Sequence, residues 1–166
     1  MAKLKILTIP HPSLKTPATP VKEISKGMVR LAGDMLETMH SYPRCVGIAA
    51  PQVDNLVRMI AVDVSCYPKP HPNHGPVVII NPVIKNSSGS RTGREGCLSV
   101  PELTGNVTRA ETVSIEGSDI EGKTISINAE GFEAVVFQHE VDHLDGILFL
   151  DRVASLKTDV FRRRQS

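Results

Sequence analysis

Two histidines four residues apart, His139 and His143, flank Glu140 in the stretch QHEVDHLDG. On a helix, positions i and i+4 lie on one face a turn apart, so two imidazoles at this spacing can share one ion. Glu140 beside them can move a proton without being a ligand, the arrangement of metal-dependent hydrolases. Such a site needs a third ligand. Downstream of His143 there is neither Glu nor His, and only Asp145, Asp151 and Asp159 carry carboxylates. The best upstream candidate is Cys97 in REGCLSVPE. A thiolate binds zinc or ferrous iron well, and a Cys-plus-two-His set leaves a fourth position open. Phe132, Val135 and Val136 precede His139 by seven, four and three residues. They extend the metal face as an apolar wall, the makings of a side-chain pocket. Asp142 can orient a ligand or pair with a cation, and Arg109 is the candidate partner.

These residues need a helix and something to hold Cys97 against it. FEAVVFQHEVDHLDG reads as that helix, entered at Gly131 and stopped near Gly146. Ahead of it, TVSIEG and TISINA flank a turn at 119–122 and read as a hairpin. VRMIAVDV (57–64) and VVIINPVI (77–84) are strand-like, rich in β-branched residues. Met28, Leu31, Met35, Leu36 and Met39 recur at helical spacing, which predicts an amphipathic helix over 25–40 with a methionine-rich buried side. Residues 1–22 are punctuated by Pro10, Pro12, Pro17 and Pro20 and read as extended chain. RCVGIAAPQ has neither helical nor strand period. His71 and His74, in the proline-rich loop CYPKPHPNHGP, are only a weak metal pair. The expected fold class is α+β: antiparallel strands packed around a C-terminal metal-binding helix, with one early amphipathic helix.

The chain has 166 residues, expected to form a single domain over 1–166, and its net charge of +1 suggests neither a nucleic-acid nor a membrane surface. The run Arg162, Arg163, Arg164 reads as a solvated tail, or as a docking point for something anionic. No sustained apolar run marks the N-terminus as a signal or an anchor. Cys45, Cys66 and Cys97 cannot all pair, which suits free thiols or ligands in a reducing cytoplasm. In that compartment the glycosylation-like triplets at Asn86 and Asn106 are accidental.

Three segments together, CVGIAAPQ (45–52), EGCLS (95–99) and QHEVDHLD (138–145), closely resemble the three motifs of peptide deformylases, in order and approximate spacing. The resemblance runs from LTIPHPSLK to the end of the last helix. It implies removal of the formyl group from formyl-Met nascent peptides. It assigns Cys97, His139 and His143 as metal ligands and Glu140 as the acid/base. Gln52 and the Leu98 N–H become donors to the oxyanion. Val46 and Gly47 border the substrate, and Phe132, Val135 and Val46 receive the methionine side chain. It implies one divalent ion, Fe2+ in cells, with Zn2+, Ni2+ or Co2+ as substitutes. The compartment is the cytoplasm, or an organelle if a transit peptide is missing from this sequence, and the ribosome is a possible partner through the basic tail. One position departs: Cys45 stands where the family usually has Gly, which puts the pocket entrance in question. The rival readings are a peptidase cutting internal bonds and a non-catalytic metal-binding module.

Overall fold

Ser25 ends an extended segment and caps α1, Lys26–His40, its hydroxyl accepting from the Met28 N–H. The structure, a computed structural model, describes residues 3–163. Its eight strands are β1 (Gly47–Ala49), β2 (Met59–Val62), β3 (Val77–Ser88), β4 (Arg91–Cys97), β5 (Val100–Arg109), β6 (Thr112–Ser118), β7 (Thr124–Glu130) and β8 (Val160–Arg162), and a second helix, α2, spans Gly131–Leu144. All pair antiparallel, in a five-stranded sheet ordered β1-β2-β3-β6-β7 and a three-stranded sheet ordered β4-β5-β8. This is the α+β architecture expected.

The large sheet is sandwiched between the helices, which explains the unbroken apolar run of β2. Met59 and Ala61 join Leu31, Ala32, Met35 and Met39 of α1 in one core, while Ile60 and Val62 join Ala134, Val136 and Phe137 of α2 in another. Ile79 and Ile80 of β3 divide between the same two cores. A third cluster under the small sheet gathers Leu14, Cys97, Val100, Val107, Leu148 and Phe149. Fully burying side chains of this size stabilises the fold by about 1.5–3 kcal/mol each.

Two contacts fix α2. The Gln138 amide bonds both backbone groups of Ala110, accepting from its N–H at 3.0 Å and donating to its carbonyl at 2.9 Å. At the far end, Arg58 Nη1 donates to the Leu144 carbonyl at 3.0 Å, a cation at the helix C-terminus. Gly146 (φ +73°) then reverses the chain where a Cβ would lie 2.6 Å from the Lys15 carbonyl oxygen.

Three expectations are corrected. Residues 1–22 are not wholly extended: Pro12–Lys15 forms a 3-10 turn, with proline preset for its start and His11 Nδ1 accepting from the Ser13 N–H. RCVGIAAPQ contains β1 and all but the last residue of a 3-10 turn, Ala50–Val53, both too short to show a period. Arg162 is not in a loose tail but in β8, opposite Leu103 of β5; Arg164 lies outside the described residues. Among the described residues, no helix is long and apolar enough to cross a membrane.

Candidate active site

Cys97 ends β4, and its strand pairing places the thiol over one face of α2. Cys97 Sγ lies 3.4 Å from His143 Nε2, and the rings of His139 and His143 are 5.0 Å apart. One ligand atom from each of Cys97, His139 and His143 falls within 4.8 Å of the other two. The Cys97 reading from sequence is thus matched in space by a compact thiolate–imidazole–imidazole set.

His139 is oriented from behind, while His143 Nδ1 has no hydrogen-bond partner among the described residues. His139 Nδ1–H donates to Glu95 Oε1 at 2.9 Å, which turns Nε2 toward the site. Glu95 is gripped in turn by Arg109, through Nε at 2.8 Å and Nη2 at 2.9 Å. Arg109 Nη1 reaches Asp142 Oδ2 at 2.7 Å, and Arg152 holds both oxygens of Asp142 at 3.1 and 2.9 Å. The Arg109–Asp142 pairing was legible in the sequence. Glu95 was not singled out, although it sits two residues before Cys97 on a strand, where alternate residues share a face.

Burial works against a charge on Glu95, but the hydrogen bonds from His139 and Arg109 outweigh it and hold the carboxyl down at about 2. Burial likewise opposes a charge on His139, yet its bonds to Cys97 and Glu95 raise its pKa well above the ordinary value. His143 goes the other way, depressed by burial and by the charges of His139 and Arg109. His143 is thus favoured in its neutral form, the form in which an imidazole binds a metal. Removing Arg109 would leave buried Glu95 with only His139 and buried Asp142 with only Arg152. Arg109→Ala is expected to cost about 3–5 kcal/mol of stability, read as a lowered urea midpoint.

Glu140 lies beside the three candidate ligands. It is buried, its Oε1 has no hydrogen-bond partner, and burial raises its carboxyl to about 7. Its position leaves no room on β1: a Cβ on Gly47 would lie 2.5 Å from Glu140 Oε2 and 2.9 Å from Val136 Cγ1. Gln52 completes the wall. Its Oε1 accepts from the Ala49 N–H at 2.9 Å, and its amide nitrogen lies 3.3 Å from Cys97 Sγ and 3.1 Å from Ser99 Oγ. Leu98 occupies the tight turn across which Cys97 pairs with Val100.

Among the expected pocket residues, Val46 and Phe132 pack on the core beneath α2, and Val135 is half-buried. Phe132 is covered by Tyr67 at 4.7 Å and His71 at 4.8 Å. His71 and His74 do not form a metal pair. His71 stacks on Phe132, while His74 Nδ1 meets Glu133 Oε1 at 2.6 Å and pins the proline-rich loop to α2. Cys45 is not in the left-handed region; Arg44 beside it is, at φ +63°. The turn therefore does not need a glycine at position 45.

A family model described as Polypeptide deformylase matches residues 3–159. The chain is similar to the peptide deformylase of Desulfosudis oleivorans, 44% identical over 99% of this chain and 93% of that one. It is also similar to that of Thermodesulfovibrio yellowstonii, 43% identical over 99% and 97%. Among solved structures, a peptide deformylase from Legionella pneumophila superposes with a TM-score of 0.85 at 39% identity, covering 94% of this chain and 89% of that one. One from Ehrlichia chaffeensis in complex with actinonin gives 0.87 at 33% identity, covering 95% and 92%.

Proposed function

The chain belongs to the polypeptide deformylase family, metal-dependent hydrolases that remove the N-terminal formyl group from nascent peptides, and we propose that Cys97, His139 and His143 hold its metal while Glu140 moves the proton. The observation that carries this is the Glu140 carboxyl. It is buried, raised to about 7, and keeps one oxygen without a partner beside three convergent ligands. A purely structural metal site needs no such group, which speaks against the non-catalytic module. EGCLS and the missing downstream ligand speak against the internal peptidase.

A divalent ion held there supplies Lewis acidity, making water acidic near neutral pH and polarising a carbonyl oxygen. The thiolate and imidazole donors suit several ions; ferrous iron is the one we propose for the cell, with zinc, nickel or cobalt as substitutes. Glu140 takes a proton from the attacking water and returns it to the leaving amine. The Gln52 amide and the Leu98 N–H donate to the oxyanion formed at the formyl carbon. Val46, Gly47, Phe132 and Val135 border the methionine. We assign the whole chain, 1–166, to one catalytic domain acting in the cytoplasm. Arg162 and Arg163 are exposed, although Arg163 Nη2 also donates to the Cys97 carbonyl at 3.4 Å, and the ribosome is the anionic contact we propose for them.

The test is formate release from formyl-Met-Ala-Ser by protein prepared without oxygen and loaded separately with iron, nickel or zinc. Formate should appear, casein should stay intact, and acetyl-Met-Ala-Ser should react about 10- to 200-fold more slowly for its extra methyl. No release with any metal, despite one tightly bound ion per chain, would overturn the reading. Gln52→Ala should lower kcat about 10²–10³-fold, the usual loss for one oxyanion donor. An unchanged kcat would leave Gln52 only its structural bonds to Ala49, Cys97 and Ser99.

A further inference from the structure

A second group of metal-ligating side chains stands apart from the site above and shares no residue with it. His40 ends α1, Asp63 follows β2, and Cys66 lies in the turn beyond. One ligand atom from each lies within 4.8 Å of the other two. His40 Nε2 and Asp63 Oδ2 are 2.8 Å apart. The other carboxyl oxygen of Asp63 accepts from the Ser65 N–H at 3.0 Å and from the Ser65 hydroxyl at 2.5 Å, which orients Oδ2 toward His40. Cys66 is exposed, and its Sγ points back along the same turn, 3.5 Å from the Asp63 carbonyl oxygen.

An ion pair joins His40 to Asp63, and the thiol makes only a long contact to the Asp63 carbonyl, which a metal ion could replace. Nitrogen, oxygen and sulfur donors converge here from the end of a helix, the end of a strand and a turn. Tetrahedral zinc, with ligand distances of about 2.0–2.3 Å, sets its donors roughly 3.3–3.7 Å apart. The exposed His40 and Cys66 side chains can reach that spacing around the fixed Asp63. The donor set is too soft for magnesium or calcium and suits zinc or its close analogues. We propose that His40, Asp63 and Cys66 form a second, solvent-open cation site of the zinc class, with three protein ligands and a position left for water. The Asp63 N–H donates to the Val46 carbonyl at 2.9 Å, so an ion there would brace the corner from which β1 runs under Glu140.

The test is zinc stoichiometry of the full chain by equilibrium dialysis. Wild type should hold two ions. Cys66→Ser and His40→Ala should each hold one, and Cys97→Ser should keep the second while losing the first. Cys66→Ser changes only an exposed side chain and should retain formate release. Wild type with a single ion, or a second ion that survives both substitutions, would overturn the site. A separate readout is alkylation of Cys66 mapped by mass spectrometry. Zinc should slow it at least tenfold in wild type and leave it unchanged in His40→Ala; equal protection in both would also overturn the site.

Discussion

Glu140→Gln should lower formate release by about 10²–10⁴-fold, the range a positioned acid/base group contributes, and leave the ion bound. Glutamine keeps the shape and volume of the buried side chain but cannot accept a proton near pH 7. Glu140 is not one of the three atoms that converge at the candidate metal position, so metal content measured beside the rate separates lost chemistry from a lost centre. Near-normal turnover with the ion in place would remove Glu140 from the mechanism. A loss of both would mean that its carboxylate holds the metal instead.

Gly47→Ala should cost about as much, although the residue carries no functional group. The added methyl would stand 2.5 Å from Glu140 Oε2 and 2.9 Å from Val136 Cγ1, closer than real Cβ contacts come. β1 cannot retreat, because Gly47 is opposite Val62 in the sheet and Ile48 is fully buried on the other side. The carboxyl must therefore move, and a displacement near 1 Å is enough to cost about 10²-fold in rate. Cys45→Gly, two residues away, is the control. Cys45 has an ordinary backbone conformation, and its thiol, pushed up to about 12 by burial and by the charge of Glu140, is inert. That variant should stay within a few-fold of wild type. Full activity in Gly47→Ala would show that Glu140 has room the structure does not give it.

The candidate ligands and Glu140 were legible because a helix converts spacing into geometry: His139 and His143 at i and i+4 leave little to decide. Cys97 was reached by elimination, and the helix α1 by its methionine period. The two-sheet division was not legible. β4 opens with Arg91, Thr92, Gly93 and Arg94 exposed on both faces, and β5 carries the polar Glu102, Thr104 and Asn106, so no clear apolar alternation marks them as strands. β8 is three residues long and exists through its pairing with β5. Gln138 belonged to the motif, but its grip on Ala110 joins positions 28 apart and leaves no periodic trace. The steric role of Gly47 was likewise hidden, since the residue it excludes is itself.

The chain of Glu95, Arg109, Asp142 and Arg152 behind His139 has a consequence for how this protein can drift. Glu95, Arg109 and Asp142 are buried there, and Asp142 is shared by Arg109 and the exposed Arg152. Neutralising any one of the three buried groups leaves another buried charge short of a partner, and such a charge costs more than the pair contributes. Lineages carrying this centre should therefore keep these positions as a block or exchange them together. Glu95 and Arg109 replaced at once by neutral side chains of similar size would be a smaller step than either replaced alone.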